Sequence, residues 1–285
     1  MRSSGSVAVC PINHQLLESE IAHAITVSKP TYIIAYGKIA IVHNVDCPYP
    51  RVETDLTAPT RLQVPHYPDT RNRLASIHLS SGTTGLPKGV SLSQYNYITN
   101  VSQIWNHDPD RWTAKESVLC VTPMVHLANG TVPFFLGPWT GTRHIVMASY
   151  NTEKLGRLVQ KTRPTTVQML PAILRSVLEG LKESEREQLF GKDKWQPLQM
   201  YGLTEAGPWV AVQRVSDNLA IGQMGRLLPN MEGRLLTENG VDAPKGGPGE
   251  LWIKVLILRE VILTTLKLIG LLFLSMDGST RGTSA

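Results

Sequence analysis

From residue 74 onward the chain switches repeatedly between two hydrophobic periods, and that switching limits the folds open to it. LASIHL (74–79), SVLCVTP (117–123), RHIVMAS (143–149) and TTVQML (165–170) are short and strand-like. Between and after them lie SLSQYNYITNVSQIW (91–105), TEKLGRLVQKT (152–162) and AILRSVLEGLKESEREQLF (172–190), which carry helical spacing. An apolar, glycine-punctuated stretch runs through Phe134 and Phe135. Strands alternating with helices predict an α/β domain with a largely parallel sheet. Upstream, residues 16–28 read as a helix and YIIAYG (32–37) as a strand, whereas residues 48–70 read as a proline-rich loop or linker. After residue 221 the pattern changes again. GRLLPNMEGRLL, a turn at ENG and GELWIKV predict short antiparallel strands.

The first of these strands leads into SSGTTGLPKG. Ser80, Ser81, Thr83 and Thr84 surround Gly82 and Gly85, and Lys88 follows. Glycines let backbone N–H groups approach a ligand closely, and successive N–H groups and hydroxyls form a concavity that favours anions. A lysine adds a mobile point charge suited to phosphate oxygens. Placed between a strand and a helix, such a loop suits phosphate binding. It is not the Walker loop, because Pro87 precedes the lysine and Gly89 follows it. A Ser/Thr/Gly-rich surface turn is the plainer alternative.

With 285 residues, 42% of them hydrophobic, the chain has material for one large or two ordinary cores. The net charge of +5 is compatible with anionic ligands, but no basic block with interleaved aromatics points to nucleic acid. Cys10, Cys47 and Cys120 are far apart and outside any metal spacing, so they read as thiols in a reducing compartment. The N-terminus lacks the apolar segment of a secretory signal, and the C-terminus carries no recognised address. A cytoplasmic location is therefore expected.

Four motifs fall in order: SSGTTGLPKG (80–89), PMVHLANG (123–130), YGLTEAGP (201–208) and GELWI (249–253). Together they resemble the adenylate-forming ligases, that is, AMP-forming acyl- and aryl-CoA synthetases and their kin, and most of all the 4-coumarate-CoA-ligase-like enzymes. The resemblance runs from about residue 16 to about 254. It implies the large N-terminal domain of such a ligase and a two-step reaction. A carboxylic acid is activated by ATP as acyl-AMP with release of pyrophosphate, and coenzyme A then displaces AMP. It also implies peroxisomal location for some relatives. By resemblance, Ser80, Ser81, Gly82, Thr83, Thr84, Gly85 and Lys88 would clamp the leaving pyrophosphate. His126 would border the acyl pocket, with a hydrogen-bonded core histidine as the alternative. Tyr201 would stack on adenine, while Gln199 and Gly202 match nucleotide-contacting positions. Thr204 would bind the α-phosphate and Glu205 would hold Mg²⁺. The alternative for that pair, an N-cap at a helix start, is disfavoured by the glycines and Pro208. The family's usual glycine before the tyrosine is Met200 here, whose side chain is expected either to crowd the adenine or to force a backbone shift.

The chain also departs from the family. By resemblance, the first part of the large domain, a Gly-Ala-Pro strand between Pro171 and Tyr201, a ribose-binding aspartate and the small C-terminal domain with its lysine are expected to have no counterpart in this sequence. The expected division is therefore a partial adenylation domain over 1–254 and an apolar tail over 255–285. Within the tail, residues 255–274 reach roughly the length of a membrane span, but Arg259, Glu260 and Lys267 interrupt them. Three readings of the tail rank as sequence foreign to the family, a packed helix, and a membrane span last. For the whole chain, an impaired acid–thiol ligase is expected. A non-catalytic nucleotide- or acyl-binding remnant, or the product of a faulty gene model, stand as alternatives.

Overall fold

The computed structural model describes residues 8–13, 15–31, 33–35, 51–53, 68–80, 87–147, 149–190, 196–217, 223–255 and 270–275. The chain divides into two compact units, Met1–Asn96 and Tyr97–Ala285.

The first unit contains α1 (Glu18–Ser28), β1 (Ile33–Ala35), β2 (Arg51–Glu53), β3 (Leu74–Ser80), β4 (Lys88–Ser93) and the first turn of α2 (Gln94–His107). Helix α1 begins where the Leu17 N–H donates to Glu20 Oε2 at 2.8 Å, and Glu18 and Glu20 put negative charge at the positive end of the helix dipole. It buries Ile21, Ala24 and Ile25, the isoleucines packing against Ile12, Leu16 and Ile33. Strand β1 pairs in parallel with β2, which lies inside the stretch expected to be loop.

β3 and β4 pair antiparallel, from Leu74↔Ser93 to Ser80↔Lys88. The glycine loop therefore joins two strands of a hairpin, not a strand and a helix as expected. The reason is local: KGVSLS alternates, Leu92 is buried, and the helix starts six residues after Lys88. It starts there because Asn96 Oδ1 accepts from the Ser93 N–H at 2.6 Å while the Asn96 N–H donates to Ser93 Oγ at 3.2 Å. Ser81, Gly82, Thr83, Thr84 and Gly85 lie outside the described residues, as does Cys47.

The second unit adds β5 (Ser117–Cys120), α3 (Leu127–Thr131), α4 (Gly137–Thr140), β6 (Arg143–Val146), α5 (Thr152–Thr162), β7 (Thr166–Met169), α6 (Pro171–Gly180) and α7 (Glu183–Phe190). It continues with β8 (Gln196–Gly202), β9 (Trp209–Val212), β10 (Arg226–Leu227), β11 (Met231–Leu236), β12 (Glu250–Val255) and β13 (Gly270–Ser275). Seven strands form one sheet in the order β10-β9-β8-β13-β7-β5-β6. Pairing is parallel for β5 with β6 and with β7, and antiparallel across the rest of the sheet. The α/β class is thus as expected, whereas the largely parallel pairing expected of the sheet is confined to β7, β5 and β6. β11 and β12 form a separate antiparallel hairpin, matching the strands expected after residue 221.

The parallel end of the sheet carries an apolar core: Leu119, Val121, Val167 and Met169 face Leu155 and Val159 of α5 and Val177 of α6. Cys120 is buried, which pushes its thiol up to about 12. Helix α5 begins at Asn151, whose side chain accepts from the Lys154 N–H at 2.9 Å. One departure from expectation follows from chain-local signals. Residues 172–190 form two helices, because Gly180 ends α6 and the Lys182 N–H donates to Glu185 Oε2 at 2.8 Å to start α7. The stretch through Phe134 and Phe135 is helical throughout, α3 and α4 being joined by a wider π-turn over Val132–Leu136. In the tail, Gly270–Ser275 is a strand between β7 and β8, and residues 256–269 lie outside the described residues. Among the described residues no helix is long and apolar enough to cross a membrane.

Candidate functional site

β8 ends at Gly202 and β9 begins at Trp209, with Tyr201 opposite Ala211 and Gly202 opposite Trp209. The six residues between them close a tight turn, within which Thr204–Ala206 form a single 3₁₀ turn. The Ala206 N–H donates to the Leu203 carbonyl at 3.0 Å, and the Gly207 N–H to the Thr204 carbonyl at 3.2 Å. Two glycines make this closure possible. A Cβ on Gly202 would collide with the Pro208 carbonyl, and Gly207 sits at φ +90°. Leu203, not Thr204, occupies the N-cap position, so Thr204 and Glu205 are not an ordinary helix-capping pair. Both side chains are half-buried, which leaves a hydroxyl and a carboxylate adjacent and reachable.

Gln199 and Tyr201 are two apart in β8 and share one face, while Leu198 and Met200 alternate onto the other. Met200 is buried there, on the face opposite Tyr201. The Gln199 N–H donates to Gln213 Oε1 at 2.8 Å. Tyr201 is only 3% exposed, and burial pushes its phenol pKa up.

His126 occupies the N-cap of α3 and is exposed, so it is not a core histidine. Partial desolvation of the ring holds its pKa below the ordinary histidine value. Trp209 connects its helix to the turn: the indole Nε1–H donates to the Ala128 carbonyl at 3.2 Å. Beside it, Asn129 Nδ2 donates to the Pro123 carbonyl at 3.2 Å and Gln168 Nε2 to Asn129 Oδ1 at 3.3 Å.

In the first unit, Ser80 is buried at the end of β3, and Lys88 opposite it is exposed. His23 Nε2 lies 2.8 Å from the Pro87 carbonyl, tying α1 to the residue before the lysine. The structure thus brings Gln199, Tyr201, Gly202, Thr204 and Glu205 together on one hairpin. Ser80 and Lys88 come together on another.

Sequence reasoning missed the polar side chains behind the β8–β9 turn. Asn100, Gln103 and His107 are 0%, 3% and 4% exposed on α2, and each bonds main-chain groups of the second unit. Their i, i+3, i+7 spacing was the available signal, but polar residues at helical spacing ordinarily mark a solvated face.

Among the described residues no group of three or more His, Cys, Asp or Glu converges as a metal cage. Glu205 alone supplies one carboxylate, a donor set that fits Mg²⁺ when phosphate oxygens complete the shell. A depression of about 590 Å³ lined by Pro171, Arg175 and Glu179 contains none of the motif residues.

Residues 4–194 and 184–256 match the profile of a family described as AMP-binding enzyme. The chain is 29% identical over 201 residues to the acyl-CoA ligase AKT1 of Alternaria alternata, covering 63% of this chain and 35% of that protein. It is 29% identical over 214 residues to 4-coumarate–CoA ligase 5 of Oryza sativa subsp. japonica, covering 65% and 40%. It therefore spans little more than a third of the length of these relatives. Its fold is similar to that of O-succinylbenzoate coenzyme A synthetase of Bacillus subtilis in complex with AMP, with a TM-score of 0.70 at 16% identity over 95% of this chain and 79% of that one. A long-chain-fatty-acid-CoA ligase from Archaeoglobus fulgidus also gives 0.70, at 18% identity over 90% and 59%.

Proposed function

The chain belongs to the family of AMP-binding enzymes, and from that premise we propose that it activates a carboxylic acid with ATP. A carboxylate is a poor electrophile. Its oxygen attacks the α-phosphorus of ATP, the bond to the β-phosphate oxygen breaks, and pyrophosphate leaves with that electron pair. The product is acyl-AMP. In the second step the sulfur of coenzyme A attacks the acyl carbon, AMP departs, and the thiol proton is released.

The observation that carries this reading is the Gly202–Pro208 turn, which holds Thr204 and Glu205, both half-buried, on one 3₁₀ turn at the end of a sheet strand. Thr204 donates to an α-phosphate oxygen as charge accumulates there, an interaction that strengthens in the transition state. Glu205 is the residue that would hold Mg²⁺, which supplies charge neutralisation on the phosphates. Lys88 and the motif before it are assigned to the leaving pyrophosphate by their match to the family's motif. His126 borders the acid, and partial desolvation favours the uncharged form of its ring. Because Tyr201 is buried, adenine stacking on it requires the ring to be uncovered as nucleotide enters.

Calorimetric titration of the full chain with Mg-ATP and with AMP tests the proposal, with pyrophosphate release measured over aromatic and medium-chain acids. Saturable binding of both nucleotides, weakened at least tenfold by Thr204→Val, is the expected outcome. No binding of either at millimolar concentration overturns it.

A further inference from the structure

Three polar side chains on the inner face of α2 all bond backbone of β9 or of the segment just after β10. Asn100 Nδ2 donates to the Trp209 carbonyl at 2.9 Å, and the Trp209 N–H donates to Asn100 Oδ1 at 3.3 Å. Gln103 Nε2 donates to the Pro229 carbonyl at 2.6 Å. His107 Nε2 lies 3.0 Å from the Val212 carbonyl. Trp209 and Val212 are the two ends of β9, so an amide holds one end of that strand and an imidazole the other. An apolar helix face would bury the same area without the cost of desolvating three polar groups. What the polar face adds is registration of one strand.

Trp209 is the point where these constraints meet. Its backbone is held on both sides by Asn100, and its register partner is Gly202, at the opposite end of the Thr204–Glu205 turn. Its indole N–H reaches Ala128, two residues beyond His126. Its ring packs edge-on against Trp112, with centroids 6.3 Å apart. Only a side chain with both a donor and an acceptor at this distance satisfies both Trp209 backbone groups, and a carboxamide is such a group.

We propose that Asn100 and Trp209 are positioning residues that lock the Thr204–Glu205 turn to the His126 helix, so that the nucleotide and acid halves of the site keep one spacing. The assignment of those halves rests on the acid-activation reading. The lock itself does not.

Hydrogen exchange by mass spectrometry on the full chain decides it, with AMP affinity measured in parallel. The variants are Asn100→Leu, Asn100→Gln and Trp209→Phe, and Leu155→Ala in the α5 core serves as the control for general destabilisation. Asn100→Leu removes both contacts at similar volume. It is expected to accelerate exchange across residues 203–212 at least tenfold and to weaken AMP binding at least tenfold, while Asn100→Gln restores part of each. Trp209→Phe keeps an aromatic ring and removes only the indole donor. It is expected to accelerate exchange in residues 127–131 and 203–208, so the lock stays testable should Asn100→Leu fail to fold. Leu155→Ala is expected to leave both segments and AMP affinity within twofold. Unchanged exchange in residues 203–212 in Asn100→Leu or in 203–208 in Trp209→Phe, or equal acceleration in the control, overturns the lock. If the unmodified chain binds no AMP, the acid-activation reading falls while the exchange result still decides the lock.

Discussion

β3–β4 and β8–β9 are both antiparallel hairpins that carry a motif, yet they are held by different kinds of contact. In the first, the close approach is between a backbone and a side chain: a Cβ on Gly89 would lie 2.5 Å from Val27 Cγ1 on α1. In the second, the close approach is backbone to backbone, Gly202 against the Pro208 carbonyl, and buried side chains of α2 bond the main chain of β9 directly. Side-chain ends can rotate away, whereas a hydrogen-bonded backbone cannot move without breaking its ladder. The difference suits the two proposed tasks. A clamp on a leaving group tolerates adjustment, but a hydroxyl and carboxylate at the reacting phosphate need fixed placement.

The largest expected effect separates the two glycines. Gly202→Ala drives a methyl group into a carbonyl that has no room to retreat, and should destabilise by about 3 kcal/mol. Gly89→Ala meets the end of a valine side chain and should cost about 1 kcal/mol. Urea unfolding of both variants measures the contrast. Equal costs would break the comparison.

How much of this was legible in the sequence depended on how local the cause was. Helix α5 could be read because TEKLGRLVQKT has one apolar stripe and Asn151 to cap it, and β11–β12 because ENG marks a turn between alternating runs. β8 and β9 were not read as strands. QPLQM contains a proline and WVAV is buried on both faces, so neither shows half-buried alternation. β13 depends on partners about seventy and a hundred residues upstream, and an apolar run alone does not distinguish strand from helix. At the site, Thr204 and Glu205 were legible through the motif order. Asn100, Gln103 and His107 were not, since their role appears only once β9 and Pro229 are placed behind them.

A smaller effect should appear in acid, and only on the β8–β9 side. His107 is buried, and its pKa is lowered by desolvation first and by the Arg214 charge second. The Val212 carbonyl, Asp108 and Asp217 offset part of that. A folded-state pKa below the unfolded value of about 6.5 means the unfolded chain takes up the proton more readily. Stability from this group is therefore complete above that pH and declines as pH falls through it toward the folded value. His107→Gln keeps a donor for the Val212 carbonyl and removes the titration. The urea midpoint of the unmodified chain should fall between pH 7.5 and 5.5 by more than that of His107→Gln. Parallel declines would remove His107 from the account.

The smallest expected effect on the fold is at Lys88, and it sharpens the contrast most directly. Lys88 is exposed at the start of β4, and its ladder partner is Ser80. Lys88→Ala should therefore change stability by no more than about 0.5 kcal/mol, as surface substitutions usually do. Its effect should instead fall on the ligand. A charge-assisted hydrogen bond to a phosphate is worth about 1.5–3 kcal/mol, so ATP affinity should drop roughly tenfold or more. AMP lacks the β- and γ-phosphates that the lysine is proposed to face, and its affinity should change far less. Thr204→Val should behave in the opposite way, weakening both nucleotides because both carry the α-phosphate. Calorimetric titration of ATP and AMP against the two variants reads out the pattern. Equal losses of ATP and AMP in Lys88→Ala would mean that the first hairpin grips the same phosphate as the second, and the division of labour between them would fall.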